Sequence, residues 1–332
     1  MQGEGRAPGV REVAAAAGVS RQTVSRVLNE HPSIRPETRE RVLAAMAELD
    51  FRPNRAARML TTARSRTIGV LASSASSLFG PASSIDAVED AARAVGYAVT
   101  VAHAASLDSA DVAAALDHLR AQAVDGVVVI APQQRVQDAM ARVALTVPSV
   151  TLHGAGAAGD EGVFVDQLLG ARLATRHLLD AGHRRIAHLA GPGDWSEARA
   201  RRDGFLAETG AAGADAVVSR EGDWTAASGA AIGAGLVADA SITAVFASND
   251  QMALGVLHAA RLAGRAVPGD LAVVGFDDIP EAAFFAPPLT TVRQDFAELG
   301  RRCVARLVAL IEGGDLAFEE PVAPVLVVRE SA

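Results

Sequence analysis

The sequence predicts an α/β protein, with a small helix-turn-helix head followed by two parallel sheets covered by helices. Three observations predict it. The stretch VAAAAGVSRQTVSRVLN, residues 13–29, is a pair of short helical segments broken at a Gly and restarted at a Ser. From Thr67 onward, short β-rich runs alternate with helical segments, the pattern of parallel strands joined by helical crossovers. Charge is also divided along the chain. Through Arg66 there are 12 basic and 7 acidic residues, whereas the rest holds 19 basic and 32 acidic, so the net −8 conceals a basic head.

In the head, residues 11–17 form a short helix, Gly18-Val19 a tight turn, and Ser20 is the N-cap of a second helix running to about Leu28. Small Ala residues let the helices approach, and Val19, Val24 and Val27 face inward. A third helix, residues 36–49, carries Val42, Met46 and Leu49 as its apolar stripe. In a helix-turn-helix the N-terminal residues of the second helix meet base edges in the major groove. Here those are Arg21, suited to guanine, and Gln22, suited to adenine, while Ser20, Thr23, Ser25, Arg26 and Asn29 suit phosphates and flanking contacts. Next, RPNRAARML, residues 52–60, has a Pro stop, Asn54 as N-cap and about two turns of helix. Isolated helices under ~12–15 residues are marginal in water, so this one is expected to fold only when two copies pack together on DNA.

Beyond the head, TIGVLAS, YAVTVAH, DGVVVIAP, PSVTLH, RRIAHLAGP, AVVSRE, ITAVFAS, LAVVGF and VLVVRE read as strands, and DEGVFV as a further one. Open α/β sheets bind ligands beyond the carboxyl ends of their strands, where Asn249, Asp250, Asp277 and Asp278 emerge. GAGAAG, residues 154–159, has dinucleotide-loop spacing, but it precedes no helix whose N-terminus would hold a pyrophosphate. It is assigned to an inter-subdomain loop.

Other classes are excluded by what the chain lacks. Half of the residues are hydrophobic and 21% charged, enough for more than one core. The single cysteine, Cys303, rules out an internal disulfide. No apolar run approaches the ~20 residues a membrane helix needs, and no signal-peptide core is present, so a cytoplasmic protein is expected. The eight histidines lack metal-ligand spacing and no G-x-S-x-G turn occurs, so neither an enzyme nor a metal or cofactor is expected. Every basic residue is Arg, which reads as coding bias rather than a demand for guanidinium.

VAAAAGVSRQTVSRVLN, RPETRERVLAAMAELDFRPNRAARML, HLLDAGHRRIAHLAGP, REGDWTAASG, ASNDQMALGVLHAA, VVGFDD and PPLTTVRQDF, in this order, resemble the LacI/GalR family of bacterial transcriptional repressors over residues 10–328. The resemblance implies a three-helix head plus hinge helix, then a periplasmic-binding-protein-like core of two doubly wound parallel-sheet subdomains with crossovers near Gly162, Gln294 and Pro324. Residues 8–52 would be the DNA-binding domain and 53–65 the hinge and linker. The N-subdomain would hold 66–163 and 295–323, the C-subdomain 164–294 and 324–332. It further implies a nucleoid-associated regulator, a homodimer on pseudo-palindromic operator DNA, with Asn54, Arg55, Ala57 and Leu60 of the hinge in the minor groove. Ala56 stands where the family can carry a hinge-packing Val, and no leucine heptad comes after VLVVRE to join dimers.

By the same resemblance the effector lies between the subdomains. Arg201, Asn249 and Asp277 would hydrogen-bond sugar hydroxyls, and Trp224 and Phe296 would supply apolar faces. Leu78 and Pro81 would wall the other side, with Ser73 beside them and Gln294 facing the ligand. His153 and Glu197 depart from the family pattern: a hydroxyl is expected to meet the His153 donor where the family can carry an acidic acceptor. A sugar-released repressor of carbohydrate genes is the function implied; the alternative is a corepressor-type regulator binding a purine.

Overall fold

The computed structural model describes residues 8–28, 33–51, 64–73, 78–104, 106, 108–130, 132–140, 145–153, 162–314 and 320–332. The chain divides into two compact units, residues 1–65 and 66–332. The first contains α1 (Val10–Ala16), α2 (Arg21–Leu28) and α3 (Pro36–Glu48). Gly9 donates its N–H to the Glu12 carboxylate at 2.9 Å, closing the start of α1. Gly18 turns the corner at φ +64, a left-handed conformation that costs glycine nothing. Ser20 Oγ accepts from Thr23 N at 3.0 Å, so the expected N-cap is in place. Pro36 opens α3 where its missing N–H is harmless. Val13, Ala14, Ala17, Val24, Val27, Val42 and Ala45 form the core, with Val19, Met46 and Leu49 packed at its margin.

In the second unit the N-terminal sheet holds β1 (Thr67–Ala72), β2 (Ala98–His103), β3 (Gly126–Ile130) and β4 (Ser149–Leu152) in the order β2-β1-β3-β4, all parallel. Its helices are α4 (Phe79–Ala94), α5 (Ser109–Ala121) and α6 (Gln134–Met140). The chain continues through α7 (Gln167–Asp180), β5 (Arg185–Leu189), α8 (Ser196–Ala211), β6 (Asp215–Val218), α9 (Ala226–Ala238), β7 (Ala244–Ala247), α10 (Asp250–Leu262), β8 (Ala272–Asp277), β9 (Thr290–Arg293), α11 (Phe296–Ile311) and β10 (Val325–Val327). The second sheet has the order β10-β9-β8-β7-β5-β6, parallel except for the antiparallel pair β10/β9.

Side chains alternate across each sheet, so each sheet feeds two cores. Ile68, Val70, Val128 and Ile130 pack under α4 and α11, while Leu71, Val127 and Val129 pack under α5 and α6. Likewise Leu189, Val245, Ala247 and Val273 meet α9 and α10, whereas Ile186, Phe246, Val274 and Phe276 meet α7 and Phe205 of α8. Glycines let α9 and α10 touch at the backbone: a Cβ on Gly255 would lie 2.3 Å from the Ala226 carbonyl oxygen. β9 belongs to the second sheet, but the next element, α11, packs in the first core, and β10 returns to the second.

Two strand expectations are corrected. DEGVFV forms no strand among the described residues; Val163 makes an isolated bridge to Leu152 and Val165 one to Val322, and all four side chains pack in or against the core of the first sheet. β9, in TTVR, is a strand that the alternation of apolar runs does not mark. GAGAAG and the hinge lie outside the described residues, as do Asn29, Asn54, Arg55, Ala57 and Leu60. No helix among the described residues is long and apolar enough to cross a membrane.

Candidate functional site

On the head, Arg21, Gln22 and Arg26 are exposed along α2, while Val24 and Val27 anchor its opposite face. Thr23 and Ser25 are half-buried, and Ser20 Oγ also lies 2.9 Å from Thr23 Oγ1. The first turn of α2 therefore presents two long donors beyond a capped, rigid start.

In the second unit a cleft of about 430 Å³ opens where strand ends of the second sheet face the start of α4. Leu78, Pro81, His153, Glu197, Arg201, Trp224, Asn249, Asp277 and Gln294 line it, as do Phe79, Gly80 and Trp195. Four buried side chains form a closed ring. Arg201 Nε donates to Gln167 Oε1 at 2.9 Å, Gln167 Nε2 to Gln294 Oε1 at 2.7 Å, and Gln294 Nε2 to Asp277 Oδ1 at 2.7 Å. Arg201 Nη2 stands 3.6 Å from that same Oδ1. The guanidinium also donates to the Ser248 carbonyl and lies 3.8 Å over the Phe276 ring. Burial pushes the Arg201 pKa down, with Asp277, Glu197 and Asp250 opposing it. Burial pushes the Asp277 carboxyl up to about 6, against the pull of Arg201 and of the Gln294 hydrogen bond.

Behind this ring the core is polar but satisfied. His188 Nδ1 lies 3.1 Å from the Phe246 carbonyl, and its Nε2 3.3 Å from Ser248 Oγ, which accepts from Gly191 N. Burial pushes the His188 pKa down to about 3, so the ring is neutral, donating through Nδ1 and accepting through Nε2. Asp250 accepts from Ile279 N and Thr291 Oγ1, and burial raises its pKa strongly. Asp278 pairs with Arg293 and Arg329 at 2.6 Å each and braces the end of β8.

The aromatic corner is equally fixed. Trp195 and Trp224 meet edge to face with centroids 5.2 Å apart. Gly191 lies against the Trp224 ring, where an added Cβ would approach within 2.6 Å. Trp224 Nε1 is buried with no hydrogen-bond partner among the described residues. Asn249 Oδ1 caps α10 through Met252 N at 2.9 Å, while its Nδ2 donates to the Trp224 carbonyl at 3.1 Å and to Gln251. His153, Trp224 and Asp277 hold left-handed φ values of 66, 72 and 111. Such backbones cost of order 1–3 kcal/mol each and gather where a site over-determines them.

Nine of the eleven expected effector residues are thus brought together. Ser73 is buried outside the cleft lining, its Oγ without a partner among the described residues. Phe296 turns into the core of the first sheet and packs edge to face on Phe79, 5.9 Å away, and it is Phe79 that reaches the cleft. His153 is not free to donate to a ligand: its Nδ1 is 3.2 Å from Glu197 Oε1 and its Nε2 2.6 Å from Ser84 Oγ. Sequence reasoning misses Phe79 and Gly80 of the lining, and it also misses Trp195 and Gln167. Their only sequence signals are a Trp two residues before Glu197 and a Gln directly after the Asp166 cap, each at a helix start.

Residues 10–54 match the family of bacterial regulatory proteins, lacI family, and residues 175–332 a periplasmic binding protein-like domain. The lactose operon repressor of Escherichia coli (strain K12) is 38% identical over 305 residues, covering 91% of this chain and 84% of that protein. The HTH-type transcriptional regulator CelR of Thermobifida fusca is 36% identical, with 98% of each chain covered. Among solved structures, a lac repressor dimer bound to operator and the anti-inducer ONPF superposes with a TM-score of 0.82 at 34% identity, covering 98% of this chain and 99% of that one. A CelR–cellobiose complex gives 0.68 at 33% identity, covering 98% and 100%. On this helix-turn-helix, this two-sheet core and these relatives, the chain belongs to the lacI family of bacterial regulatory proteins, DNA-binding regulators of transcription.

Proposed function

We propose that this regulator is a homodimeric repressor of carbohydrate-utilisation genes, released from a pseudo-palindromic operator when a sugar binds between the two sheets. The observation that carries the reading is the ring Arg201–Gln167–Gln294–Asp277 beside Trp224 and Trp195. Preorganised polar groups and an aromatic face in one pocket suit a ligand that is polar at its edge and apolar on its C–H face. Trp224 Nε1, without a partner among the described residues, adds a donor. The relatives point the same way, since they include a lactose operon repressor and a ribose operon repressor. Ser20, Arg21, Gln22, Thr23, Ser25, Arg26 and Asn29 would contact DNA, joined by Asn54, Arg55, Ala57 and Leu60. Domain limits at 52, 65, 163, 294 and 323 fit this division of labour. A sugar that shifts one subdomain against the other would separate the paired hinge segments, removing the folding free energy that supports operator binding.

The test begins with selection of operator duplexes from random DNA by the full-length protein, and then calorimetry and release assays with a sugar panel. Arg21→Ala or Gln22→Ala is expected to cost about 1–3 kcal/mol at particular base pairs, and Arg26→Ala to weaken all duplexes alike. Leu60→Ala should reduce operator bending while leaving sugar affinity unchanged. Binding of purines that tightens operator affinity, with no response to any sugar, would replace this reading by the corepressor one.

A further inference from the structure

Ser84 of α4, His153 at the end of β4 and Glu197 of α8 are buried and touch in series, the first two from one subdomain and the third from the other. A carboxylate only accepts, so the Nδ1 that faces Glu197 carries a hydrogen whatever the charge of the ring. Ser84 Oγ has a second neighbour, the Gly80 carbonyl at 2.8 Å. When the ring is neutral the hydroxyl donates to Nε2; when it is charged, Nε2 donates and the hydroxyl turns to Gly80. The Nδ1–Glu197 contact survives both states. Ser196 Oγ lies 2.8 Å from the His153 carbonyl and 3.1 Å from Glu197 Oε2, and its single hydrogen serves one of these acceptors at a time. His153 keeps its left-handed φ of 66 in the midst of these contacts.

Both nitrogens of His153 are therefore occupied, and the group left to face a ligand is the Glu197 carboxylate. Around it the cleft is anionic. Glu197 and Asp277 share the lining with one guanidinium, Arg201, which donates to Gln167 and the Ser248 carbonyl and pairs with Asp277 at 3.6 Å. A phosphate or carboxylate on the ligand would face two carboxylates and a single guanidinium already paired with Asp277. A neutral polyol would find acceptors.

We propose that Ser84, His153 and Glu197 form a specificity relay, in which His153 of one subdomain aims the Glu197 carboxylate of the other at one effector hydroxyl. The cleft then takes uncharged polyols with a donor at that point and turns away sugar phosphates and sugar acids. This rests on the sugar reading above. Ser84 and His153 are positioning residues; Glu197 touches the ligand. The charged groups around the imidazole are Glu197 and Arg201 on α8, Asp277 at the end of β8 and Asp166 ahead of α7.

The experiment uses the full-length protein in two arms. Without ligand, urea unfolding of wild type, His153→Gln, Glu197→Gln and the double variant measures their coupling. A non-additivity of about fivefold or more in the unfolding constant is expected for groups in direct contact, and additive effects would overturn the relay. With ligand, calorimetry uses glucose, galactose, ribose, lactose and cellobiose, monodeoxy analogues of the two hexoses, glucose 6-phosphate and glucuronic acid. Wild type should bind a neutral sugar and neither anion. Glu197→Gln should weaken the neutral sugar about tenfold and shrink its preference over the anions, Glu197→Asp should restore part of that preference, and the double variant should be no worse than Glu197→Gln alone. A wild type that prefers the phosphate, or a Glu197→Gln that leaves the preference unchanged, would overturn the proposal. Binding of purines and no sugar would instead sink the sugar reading, and the unfolding arm would still decide whether the pair is coupled.

Discussion

The two walls of the cleft are built differently. On the second-sheet side, Arg201, Asn249, Asp277 and Gln294 are buried, hydrogen-bonded to one another or to backbone, and set on strand ends and a helix. On the facing side, Leu78, Phe79, Gly80 and Pro81 are consecutive residues at the start of α4, an apolar patch that contributes no polar side chain to the lining. The first wall is preorganised to distinguish hydroxyls, and this stretch of the second supplies shape and apolar area, with His153 beside it turned onto Glu197 and Ser84. Selectivity and affinity should therefore separate by wall.

The largest effect expected from this contrast is at Arg201. Arg201→Met removes the partner of Gln167, the Ser248 carbonyl and Asp277 at once and leaves a buried carboxylate uncompensated. Breaking such a pair from one side costs about 3–5 kcal/mol, read by urea unfolding, and effector binding should vanish in calorimetry. Leu78→Ala, on the apolar wall, should cost about 1 kcal/mol or less at its half-buried position. Comparable losses for the two would erase the distinction between walls.

Asp277 sharpens it through pH. Its carboxyl is raised by burial from the ordinary 3.8 to about 6, so the folded chain holds that proton more tightly than the unfolded one. The group's contribution to stability is complete below pH 3.8 and is lost as pH rises through 6. Relative to Asp277→Asn, the wild type should therefore weaken by about 3 kcal/mol between pH 3.5 and 7.5. Chemical unfolding at several pH values measures this difference, and a gap that is flat or opens toward acid would contradict the burial of an ionised carboxylate in the ring. His188, with its pKa lowered to about 3, acts oppositely in both proteins and cancels in the comparison.

A smaller effect is expected beneath Trp224. Gly191→Ala would bring a Cβ within 2.6 Å of the indole, so the ring or the strand end must shift at about 1–3 kcal/mol. Loss of sugar affinity with the hydrogen-bond ring intact, seen as an unchanged pH difference at Asp277, would show that the aromatic face acts independently of the ring.

Much of the fold and of the cleft is legible in the chain because the informative residues stand at junctions between a strand and the next loop or helix. Asn249 and Asp277 sit at the ends of strands whose apolar runs are plain, and Ser20 announces its helix by capping it. The illegible parts depend on the chain changing sheets. The family resemblance puts Phe296 at the ligand, but it opens α11, which packs in the other core. DEGVFV has the alternation of a strand and spends it on two isolated bridges beside the first sheet's core, at Leu152 and Val322. β9 is TTVR, with Val292 as its one apolar side chain, so no apolar run marks it. Gln167 acquires its role only when α7 comes beside β9 and α8. For His153 and Glu197, the residue types signal a change of chemistry, but spacing cannot show that each is the other's partner across the cleft.

The smallest expected effect lies on the apolar wall, at Phe79. Its ring packs edge to face on Phe296 at 5.9 Å and 77° and lines the cleft with its other side. Phe79→Leu keeps an apolar group of similar reach and loses the aromatic pair, worth about 0.5–1.5 kcal/mol. Affinity for every sugar should fall together by less than about tenfold, because the lost contact carries no hydrogen-bond direction. Ratios between a hexose and its monodeoxy analogue should stay those of the wild type. Calorimetry of Phe79→Leu and Gln294→Leu side by side decides the matter, since Gln294 donates to Asp277 and accepts from Gln167 and its loss should alter those ratios. If Phe79→Leu changes the ratios as much as Gln294→Leu does, the apolar wall takes part in reading hydroxyls and the division between the two walls fails.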